Sequence, residues 1–254
     1  MNGLLDLNGK TAVVTGGSRG VGRATSLLLA EAGASVGIGY RSREGEAQET
    51  IRAMEAFGVR AWAQAGDLGN PQEAKALFER ADEEFGGLDF FVGNHGIWLP
   101  DDVPISEMSD AQWRATMDAN LDSIFYTTRE AAKRIRDDGR IVLVSSTAGQ
   151  RGEAFHVDYA ASKGALISMV KGLCVELGAR GITVNCVAPG WIDTEMARPA
   201  YGEGRREAIA ASIPIGRIPP PEDIAGPIVF LCSGLARHIT GETLNVNGGA
   251  VLVG

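Results

Sequence analysis

Short apolar segments alternate with longer amphipathic segments along nearly the whole chain, and this alternation limits the folds that the sequence can adopt. Strands are predicted at 11–15, 35–40, 59–65, 88–92, 141–145, 183–188 and 243–246. Helices are predicted at 20–32, 44–57, 71–85 (after an Asn cap at Asn70), 109–136, 157–179 and 221–232. Strands separated by helices of this length form right-handed βαβ units. The chain is therefore predicted to be an α/β protein whose parallel sheet carries helices on both faces.

No repeat, low-complexity segment or linker divides the 254 residues, so we expect one doubly wound domain over 1–254. The segment 193–220 is polar and interrupted by Pro and Gly. It is expected to leave the sheet as an excursion and to form a mobile lid over a binding site.

Composition argues against several classes of function. The net charge of -8 argues against a nucleic-acid or anionic-membrane surface. No apolar stretch approaches the roughly 20 residues that span a bilayer, and the first residues do not resemble a signal peptide. Cys174, Cys186 and Cys232 have neither metal nor disulfide spacing. We therefore expect a cytoplasmic protein without a structural metal.

A glycine-rich turn follows the first predicted strand and leads directly into a helix. Its sequence is Thr15-Gly16-Gly17-Ser18-Arg19-Gly20-Val21-Gly22. Glycines at such a place let the backbone approach a pyrophosphate at the positive helix N-terminus. The pattern is weak alone, and its ordinary alternative is a plain glycine-rich turn, but its position between strand and helix favours a dinucleotide site.

The end of the second predicted strand indicates which dinucleotide is bound. An acid there would accept hydrogen bonds from the ribose of NAD, whereas this chain continues as Tyr40-Arg41-Ser42-Arg43. A guanidinium binds a 2′-phosphate in bidentate fashion, and Arg19 adds a second cation from the glycine turn. The alternative is that these arginines are solvated surface charges. Their two positions favour NADP(H).

Tyr159 and Lys163 stand four residues apart, which places both side chains on one face of a helix. A phenol holds its proton up to about pH 10, and a nearby cation is expected to lower that pKa toward neutrality. Ser146 ends the buried strand that precedes them. A Tyr and a Lys at this spacing often form only a solvated helix face. The catalytic interpretation of the pair therefore depends on the presence of Ser146 and of the glycine turn.

These motifs, in this order, resemble those of the short-chain dehydrogenase/reductase family, and the match runs from about residue 7 to 249. Besides the glycine turn, the matching residues are Asp67-Leu68, Asn94-His95-Gly96, Asn120, Ser146, Tyr159, Lys163, Pro189-Gly190-Trp191-Ile192-Asp193-Thr194, Ile239-Thr240-Gly241-Glu242 and Asn247-Gly248-Gly249. The resemblance implies a Rossmann domain with about seven strands in the order 3-2-1-4-5-6-7. It also implies hydride transfer between a nicotinamide and a ketone or secondary alcohol.

The resemblance implies a role for each matching residue. Tyr159 would exchange the proton with the carbonyl oxygen and Ser146 would bind that oxygen. Lys163 would lower the pKa of the tyrosine and hold the nicotinamide ribose, and Asn120 would organise a water beside it. Cofactor contacts are expected from Gly16, Ser18, Arg19, Gly20, Val21, Gly22, Tyr40, Arg41, Ser42, Asp67, Leu68, Asn94, Gly96, Tyr159, Lys163, Pro189, Gly190, Ile192 and Thr194. Substrate contacts are expected from Ser146, Gln150, His156, Trp98 and Trp191, each of which could equally be an inert wall.

His95 departs from the family, which usually has Ala at this place. A histidine there could titrate near neutrality, but a neutral ring packed beside the cofactor is the preferred interpretation.

The resembling relatives also suggest a substrate and an assembly. They include 3-oxoacyl-carrier-protein reductases and glucose or small-ketone dehydrogenases, so a 3-oxoacyl thioester and a sugar or small alcohol are both candidates. Carrier-protein reductases place one arginine nine residues before the serine and another 21 after the tyrosine. Here these positions hold Asp137, followed by Asp138, and Arg180, which predicts weak use of carrier-linked chains. A homotetramer is expected from the resemblance.

Two other classes of function share the scaffold. An epimerase or dehydratase would tend to lose part of the Ser–Tyr–Lys set, and a nucleotide sensor would not need a phenol beside an ammonium. The complete set in this chain argues against both.

Overall fold

The computed structural model describes residues 5–202 and 204–253, which form one sheet of seven parallel strands with helices on both faces. The strand order β3-β2-β1-β4-β5-β6-β7 confirms the predicted doubly wound domain. The strands are β1 (Thr11–Thr15), β2 (Ser35–Tyr40), β3 (Ala61–Ala65), β4 (Leu88–Gly93), β5 (Ile135–Val144), β6 (Thr183–Pro189) and β7 (Thr243–Val246). The helices are α1 (Gly20–Glu31), α2 (Glu44–Glu55), α3 (Pro71–Phe85), α4 (Asp110–Met117), α5 (Ser123–Arg134), α6 (Thr147–Arg151), α7 (Val157–Leu177), α8 (Arg205–Ser212) and α9 (Glu222–Cys232).

Both faces of the sheet are buried, because successive side chains of each strand point to opposite faces. Val14 of β1 packs into the core that α1, α2 and α9 cover, whereas its neighbour Val13 packs into the core beneath α3, α5 and α7. Val142 and Leu143 of β5 divide between the two cores in the same way. A strand buried on both faces is apolar throughout, which explains the continuous apolar runs of the sequence.

The long helix predicted at 109–136 is interrupted. A π-helical turn (Asp118–Asp122) separates α4 from α5, and α5 ends at Arg134 instead of 136. A π-turn inserts one residue into the helix, and such insertions are frequent at functional sites. Polar residues on both sides of this turn hide the resulting shift in the apolar pattern.

Strand β5 begins earlier than the predicted 141, with an irregularity near its start. Leu88 of β4 pairs with Ile135 and Phe90 pairs with Arg140, so β5 bulges between these pairs. Asp138 in the bulge has a φ of 59°, in the left-handed region that Asp tolerates better than most residues. The residues at the start of β5 are mostly polar, so their pairing with β4 could not be predicted from an apolar pattern.

Smaller differences lie at the ends of other elements. α1, α2 and α7 end one or two residues before the predicted positions, and β3 starts two residues later. The short helix α6, capped by Ser146, was not predicted, because its five residues are too few for a periodic pattern.

The excursion predicted at 193–220 contains α8 and a 3-10 turn (Arg198–Ala200), while position 203 lies outside the described residues. The hydroxyl of Tyr201 donates to the Ile192 carbonyl at 2.9 Å, and Arg206 pairs with Asp193 at 2.7 Å. These contacts hold the excursion to the segment that follows β6. In residues 5–202 and 204–253, no helix is both long and apolar enough to cross a membrane.

Candidate active site

A cavity of about 670 Å³ opens at the carboxyl edge of the sheet. Residues that follow β1, β4 and β5 line it, among them Gly16, Asn94 and Ser145. The chain leaves β1 toward β2 on one side, and β4 lies on the other side, so the cavity sits where the strand order changes direction. Ligands of open α/β sheets bind at this kind of switch point.

The glycine turn forms one wall of the cavity. Gly16 has a φ of 66° and Gly20 a φ of 53°, values that side-chain-bearing residues rarely adopt. A Cβ on Gly22 would lie 2.2 Å from the Gly16 carbonyl oxygen, so the turn and α1 approach each other more closely than any other residue permits. Gly20 and Val21, at the start of α1, line the cavity and can offer backbone N–H groups to an anion.

Most residues predicted to form the site meet in this one cavity. Its wall includes Gly16, Ser18, Arg19, Gly20, Val21, Tyr40, Arg41, Ser42, Asp67, Leu68, Asn94, Gly96, Trp98, Ser146, Tyr159, Lys163, Pro189, Gly190, Trp191, Ile192 and Thr194. Four predicted residues stand behind the wall: Gly22, Asn120, Gln150 and His156.

Helix α7 carries Tyr159 and Lys163 one turn apart, as their spacing predicts, and both line the cavity. The Lys163 ammonium lies 6.0 Å from the centroid of the Tyr159 ring and donates to the Val144 carbonyl at 2.9 Å. The Ser146 hydroxyl accepts from the Ala148 N–H at 3.1 Å and is near enough to the Tyr159 phenol to affect its pKa. A phenol, a hydroxyl and an ammonium therefore converge where β5 ends.

The pKa of Tyr159 differs from the sequence-based expectation. Burial raises it to about 12, the Ser146 hydroxyl offsets only part of this effect, and the nearby Glu153 adds to it. Burial also lowers the pKa of Lys163 to about 8. The expectation that Lys163 lowers the phenol pKa toward neutrality is wrong for the protein's own groups, because desolvation by burial dominates the pKa of Tyr159 and Lys163 is not among the groups that shift it. Tyr159 thus keeps its proton at neutral pH and can serve as a proton donor.

Asn120 is fully buried on the π-turn between α4 and α5. Its side-chain oxygen accepts from the Ile97 N–H at 2.6 Å, and its amide nitrogen donates to the Ile97 carbonyl at 2.9 Å. A Cβ on Gly96 would lie 2.9 Å from this oxygen and 3.2 Å from the Lys163 ammonium. Gly96 thus allows the amide of Asn120 and the ammonium to approach the same point behind the cavity wall.

His95 is on the cavity wall with both ring nitrogens engaged. Nδ1 lies 2.7 Å from the Thr15 hydroxyl oxygen and Nε2 lies 2.7 Å from the Ser123 hydroxyl oxygen. Burial, with a smaller contribution from the Lys163 charge, lowers the pKa of His95 to about 3. The ring is therefore neutral at physiological pH, which agrees with the neutral ring expected from the sequence.

The predicted arginines lie at the end of the cavity formed by the glycine turn and β2, and each meets an acid. Arg41 pairs with Asp67 at 2.9 Å, and Arg19 pairs with Glu195 at 2.8 Å. Arg43 also approaches Glu195, at 3.8 Å, and lines the cavity. Asp67 and Glu195 are distant in sequence from these arginines, so the pairs could not be predicted, whereas the closer partner of Arg43 is its neighbour Glu46 at 3.1 Å.

At the other end of the cavity, Trp98 and Trp191 meet edge to face at a centroid distance of 6.1 Å. His156 is buried and stacks on Trp98 at 5.0 Å, so it supports the wall instead of forming it. Gln150 turns away, and its amide donates to Asn245 at 2.6 Å. Sequence reasoning missed Glu153, whose carboxyl lines the cavity and whose pKa is raised by burial.

The positions compared with carrier-protein reductases do not border the cavity of this chain. Asp137 and Arg180 precede the regularly paired part of β5 and β6, at the edge of the sheet opposite to Ser146. They pair with each other at 2.8 Å. The expectation that they form the rim of the active-site mouth is therefore wrong within one chain, because sequence spacing does not show which end of a strand a residue occupies.

The sheet order and the cavity at its carboxyl edge define a doubly wound protein of the Rossmann type. Within this class the chain belongs to the short-chain dehydrogenase/reductase family, and the family model described as "Enoyl-(Acyl carrier protein) reductase" matches residues 16–251.

Sequence and structure comparisons agree on this assignment. A 3-oxoacyl-[acyl-carrier-protein] reductase of Vibrio cholerae is 39% identical over 98% of this chain and 100% of its own length. A blue fluorescent protein from a metagenomic library, solved in complex with NADPH, is 39% identical, with a TM-score of 0.91 over 97% of this chain and 100% of its own. A glucose/ribitol dehydrogenase from Brucella melitensis is 35% identical, with a TM-score of 0.89 over 98% and 99% of the two chains.

The lowered pKa of Lys163 can be measured directly. We expect the 13Cε resonance of Lys163, assigned by its loss in Lys163→Met, to titrate with a midpoint near pH 8, because burial disfavours the charged form. The ammonium would then be charged below that pH and lose its proton above it. A midpoint near the ordinary lysine value of about 10.4 would contradict the burial argument.

Proposed function

We propose that this protein is an NADP(H)-dependent oxidoreductase that transfers a hydride between the nicotinamide and a ketone or secondary alcohol. The observation that carries the proposal is the convergence of Tyr159, Ser146 and Lys163 with the glycine turn on one cavity. When bound, the cofactor supplies the hydride, and the protein supplies position and proton.

Each of these groups suits the proposed reaction. A carbonyl that receives a hydride develops negative charge on oxygen, and donors aimed at that oxygen stabilise the transition state. The Tyr159 phenol, protonated at neutral pH, donates the proton, and the Ser146 hydroxyl donates a hydrogen bond. Lys163 holds the nicotinamide ribose, and Asn120 organises a water beside the ammonium. A phenol that keeps its proton at neutral pH can act as the general acid that reduction of a carbonyl requires.

Turnover is expected to depend on the phenol and not on the ring. Tyr159→Phe should bind NADPH normally but lose about 10²–10⁴-fold in kcat, because it removes general-acid help. The measurement is NADPH consumption with a panel of ketones, with the cofactor Kd determined in parallel. Tyr126→Phe, on α5 outside the cavity wall, is the matched control. Near-normal turnover in Tyr159→Phe would require another proton donor and would overturn the assignment.

The residues at the cofactor end of the cavity fit NADP(H). A Cβ at Gly22 would clash with the Gly16 carbonyl oxygen, so only glycine lets the turn pack against α1. This packing leaves the backbone N–H groups of Gly20 and Val21 at the cavity wall, where they can bind a pyrophosphate. Arg19, Arg41 and Arg43 line the adjoining wall, where a 2′-phosphate would replace carboxylates as their partner. A similar structure contains NADPH. A phosphate offers a guanidinium more charge than one carboxylate does.

Cofactor preference is expected to reside in Arg41. NADPH should bind more tightly than NADH, and Arg41→Asp should reverse this order with a loss of about ten- to a hundredfold in NADPH affinity. Arg52→Asp, an exposed site on α2 outside the cavity wall, makes the same charge change and should leave the preference intact. Equal dissociation constants for NADPH and NADH in the unmodified protein would contradict the predicted preference for NADPH.

A 3-oxoacyl thioester is the substrate class we propose. The support is the identity to the Vibrio cholerae reductase, together with the apolar surface that Trp98 and Trp191 give the cavity beside Tyr159. Oxidation of a sugar or small alcohol is the second candidate. It is favoured by the Glu153 carboxyl on the same wall, which could accept hydrogen bonds from hydroxyls. An epimerase or a nucleotide sensor would not require the complete Ser–Tyr–Lys arrangement.

Rates with three substrates distinguish these possibilities. We expect acetoacetyl-CoA to be reduced with a higher kcat/KM than that for glucose oxidation. The same acyl group on an acidic carrier protein should gain no advantage, because the chain has a net charge of -8. A much higher kcat/KM for the carrier-linked group would make fatty-acid elongation the better assignment.

We also propose a cytoplasmic homotetramer, on the basis of the family resemblance. Cys186 and Cys232 are buried free thiols, which suits a reducing compartment. Phe125 on α5 and Val175 on α7 are 46% and 80% exposed, and a symmetry mate could cover such apolar residues. Light scattering at micromolar concentration measures the mass of the assembly.

A further inference from the structure

His95, which follows β4, joins two other parts of the site through its ring. Nδ1 contacts Thr15, the last residue of β1 before the glycine turn, and Nε2 contacts Ser123, the first residue of α5. Ser123 directly follows the π-turn that carries Asn120, and the Ser123 N–H donates back to the Asp118 carbonyl to close that turn. Thr15 and Ser123 are both buried, so their hydroxyls depend on protein partners.

The hydrogen-bond network assigns the proton of the neutral ring. The Ser123 hydroxyl has one hydrogen, which it donates to the Ala119 carbonyl at 2.8 Å. Nε2 must then carry the ring proton and donate to Ser123, while Nδ1 accepts from the Thr15 hydroxyl. This arrangement satisfies the three shortest contacts and gives up only the 3.3 Å contact between Thr15 and the Val92 carbonyl. The opposite tautomer would leave the 2.8 Å contact without a hydrogen.

The two contacts of the ring differ in how easily the protein could replace them. Without His95, the Thr15 hydroxyl could donate to Val92, and it already accepts from the Asn94 N–H at 3.0 Å. The Ser123 oxygen would keep only its bond to Ala119 within the π-turn. Loss of the Nε2 contact therefore removes one support of the turn that carries Asn120, whose side chain remains bonded to Ile97 and Ser162. Loss of the Nδ1 contact leaves Thr15 with its other partners.

We propose that His95 is a positioning residue, which as a neutral Nε2–H ring fixes the Asn120 turn through Ser123. The inference rests on the proposed function for its kinetic consequences and on the contacts above for its structural ones. His95 forms no bond to substrate in this role, and it gains or loses no proton.

Two substitutions separate the contacts. A glutamine can place an amide donor near the position of Nε2 and keep the bond to Ser123, whereas an asparagine can place an acceptor near Nδ1 and keep only the bond to Thr15. We expect His95→Gln to retain kcat within about threefold, and His95→Asn and His95→Ala to lose about ten- to a hundredfold, the scale of a misplaced group. The NADPH Kd should change less than threefold in all three.

Ser123→Ala provides the coupling test. It should lower kcat as much as His95→Ala does, and the double variant should be no worse than either, since both remove one interaction. Ser123→Ala should also abolish the rescue by glutamine. The pH–rate profile of His95→Ala should keep the same ionisations as the unmodified protein, because the ring does not titrate in this range.

Hydrogen exchange tests the inference without turnover. Amides of residues 118–124 should exchange faster in His95→Ala and His95→Asn than in the unmodified protein and in His95→Gln. Equal exchange and equal kcat in Asn and Gln variants, or the loss of an ionisation in His95→Ala, would overturn the proposal. Absence of ketone reduction in the unmodified protein would refute the proposed function, and the order of exchange rates alone would then decide the role of His95.

Discussion

The site depends on the close packing of α6 and α7 against the end of β5. A Cβ on Gly149 would lie 2.6 Å from the backbone carbon of Lys163, so the two helices touch backbone to backbone. The Ser145 hydroxyl donates to the Lys163 carbonyl at 2.7 Å, and the Lys163 ammonium donates to the Val144 carbonyl at 2.9 Å. These three contacts leave α7 little freedom, and they bring its phenol to the serine that caps α6.

The same packing sets the charges in the cavity. Burial is the largest cause of each pKa shift at Tyr159, Lys163 and His95, and it favours the neutral form of all three. The phenol keeps its proton, the imidazole stays uncharged, and the ammonium holds its charge only below about pH 8. Such perturbed groups in one cleft are typical of catalytic sites. A substrate oxygen that becomes negative would meet donors in a setting where water screens them poorly.

The strands and the glycine turn could be predicted because their signals are local or repeated, whereas the order of the strands was implied by the family resemblance. Strands buried on both faces give continuous apolar runs, and the glycines of the turn lie within one short segment. Tyr159 and Lys163 likewise lie one turn apart on α7, as their spacing in the sequence predicts.

Other features depend on the third dimension. The π-turn at Asp118–Asp122 inserts one residue into the helix. The neighbouring residues are polar, so the apolar pattern of the sequence does not show the insertion. The pairing of Arg19 with Glu195 joins distant parts of the chain, and the place of Asp137 at the far edge of the sheet follows from strand direction. The pKa of Tyr159 could not be predicted from the Lys163 charge, because its sign depends on how much water the fold removes.

Two arginine–acid pairs at the cofactor end link the excursion at 193–220 to the glycine turn and to the segment after β2. Glu195 follows β6 in the excursion, yet its carboxylate is shared between Arg19 of the turn and Arg43 beyond β2. All three side chains are about half exposed, and ion pairs of this kind contribute little to stability. The arginines can therefore exchange the carboxylate for a phosphate at small cost. If Arg19 binds the 2′-phosphate as we propose, it cannot pair fully with Glu195 at the same time. Binding of the phosphate and the position of Glu195 would then be coupled, equally in both directions.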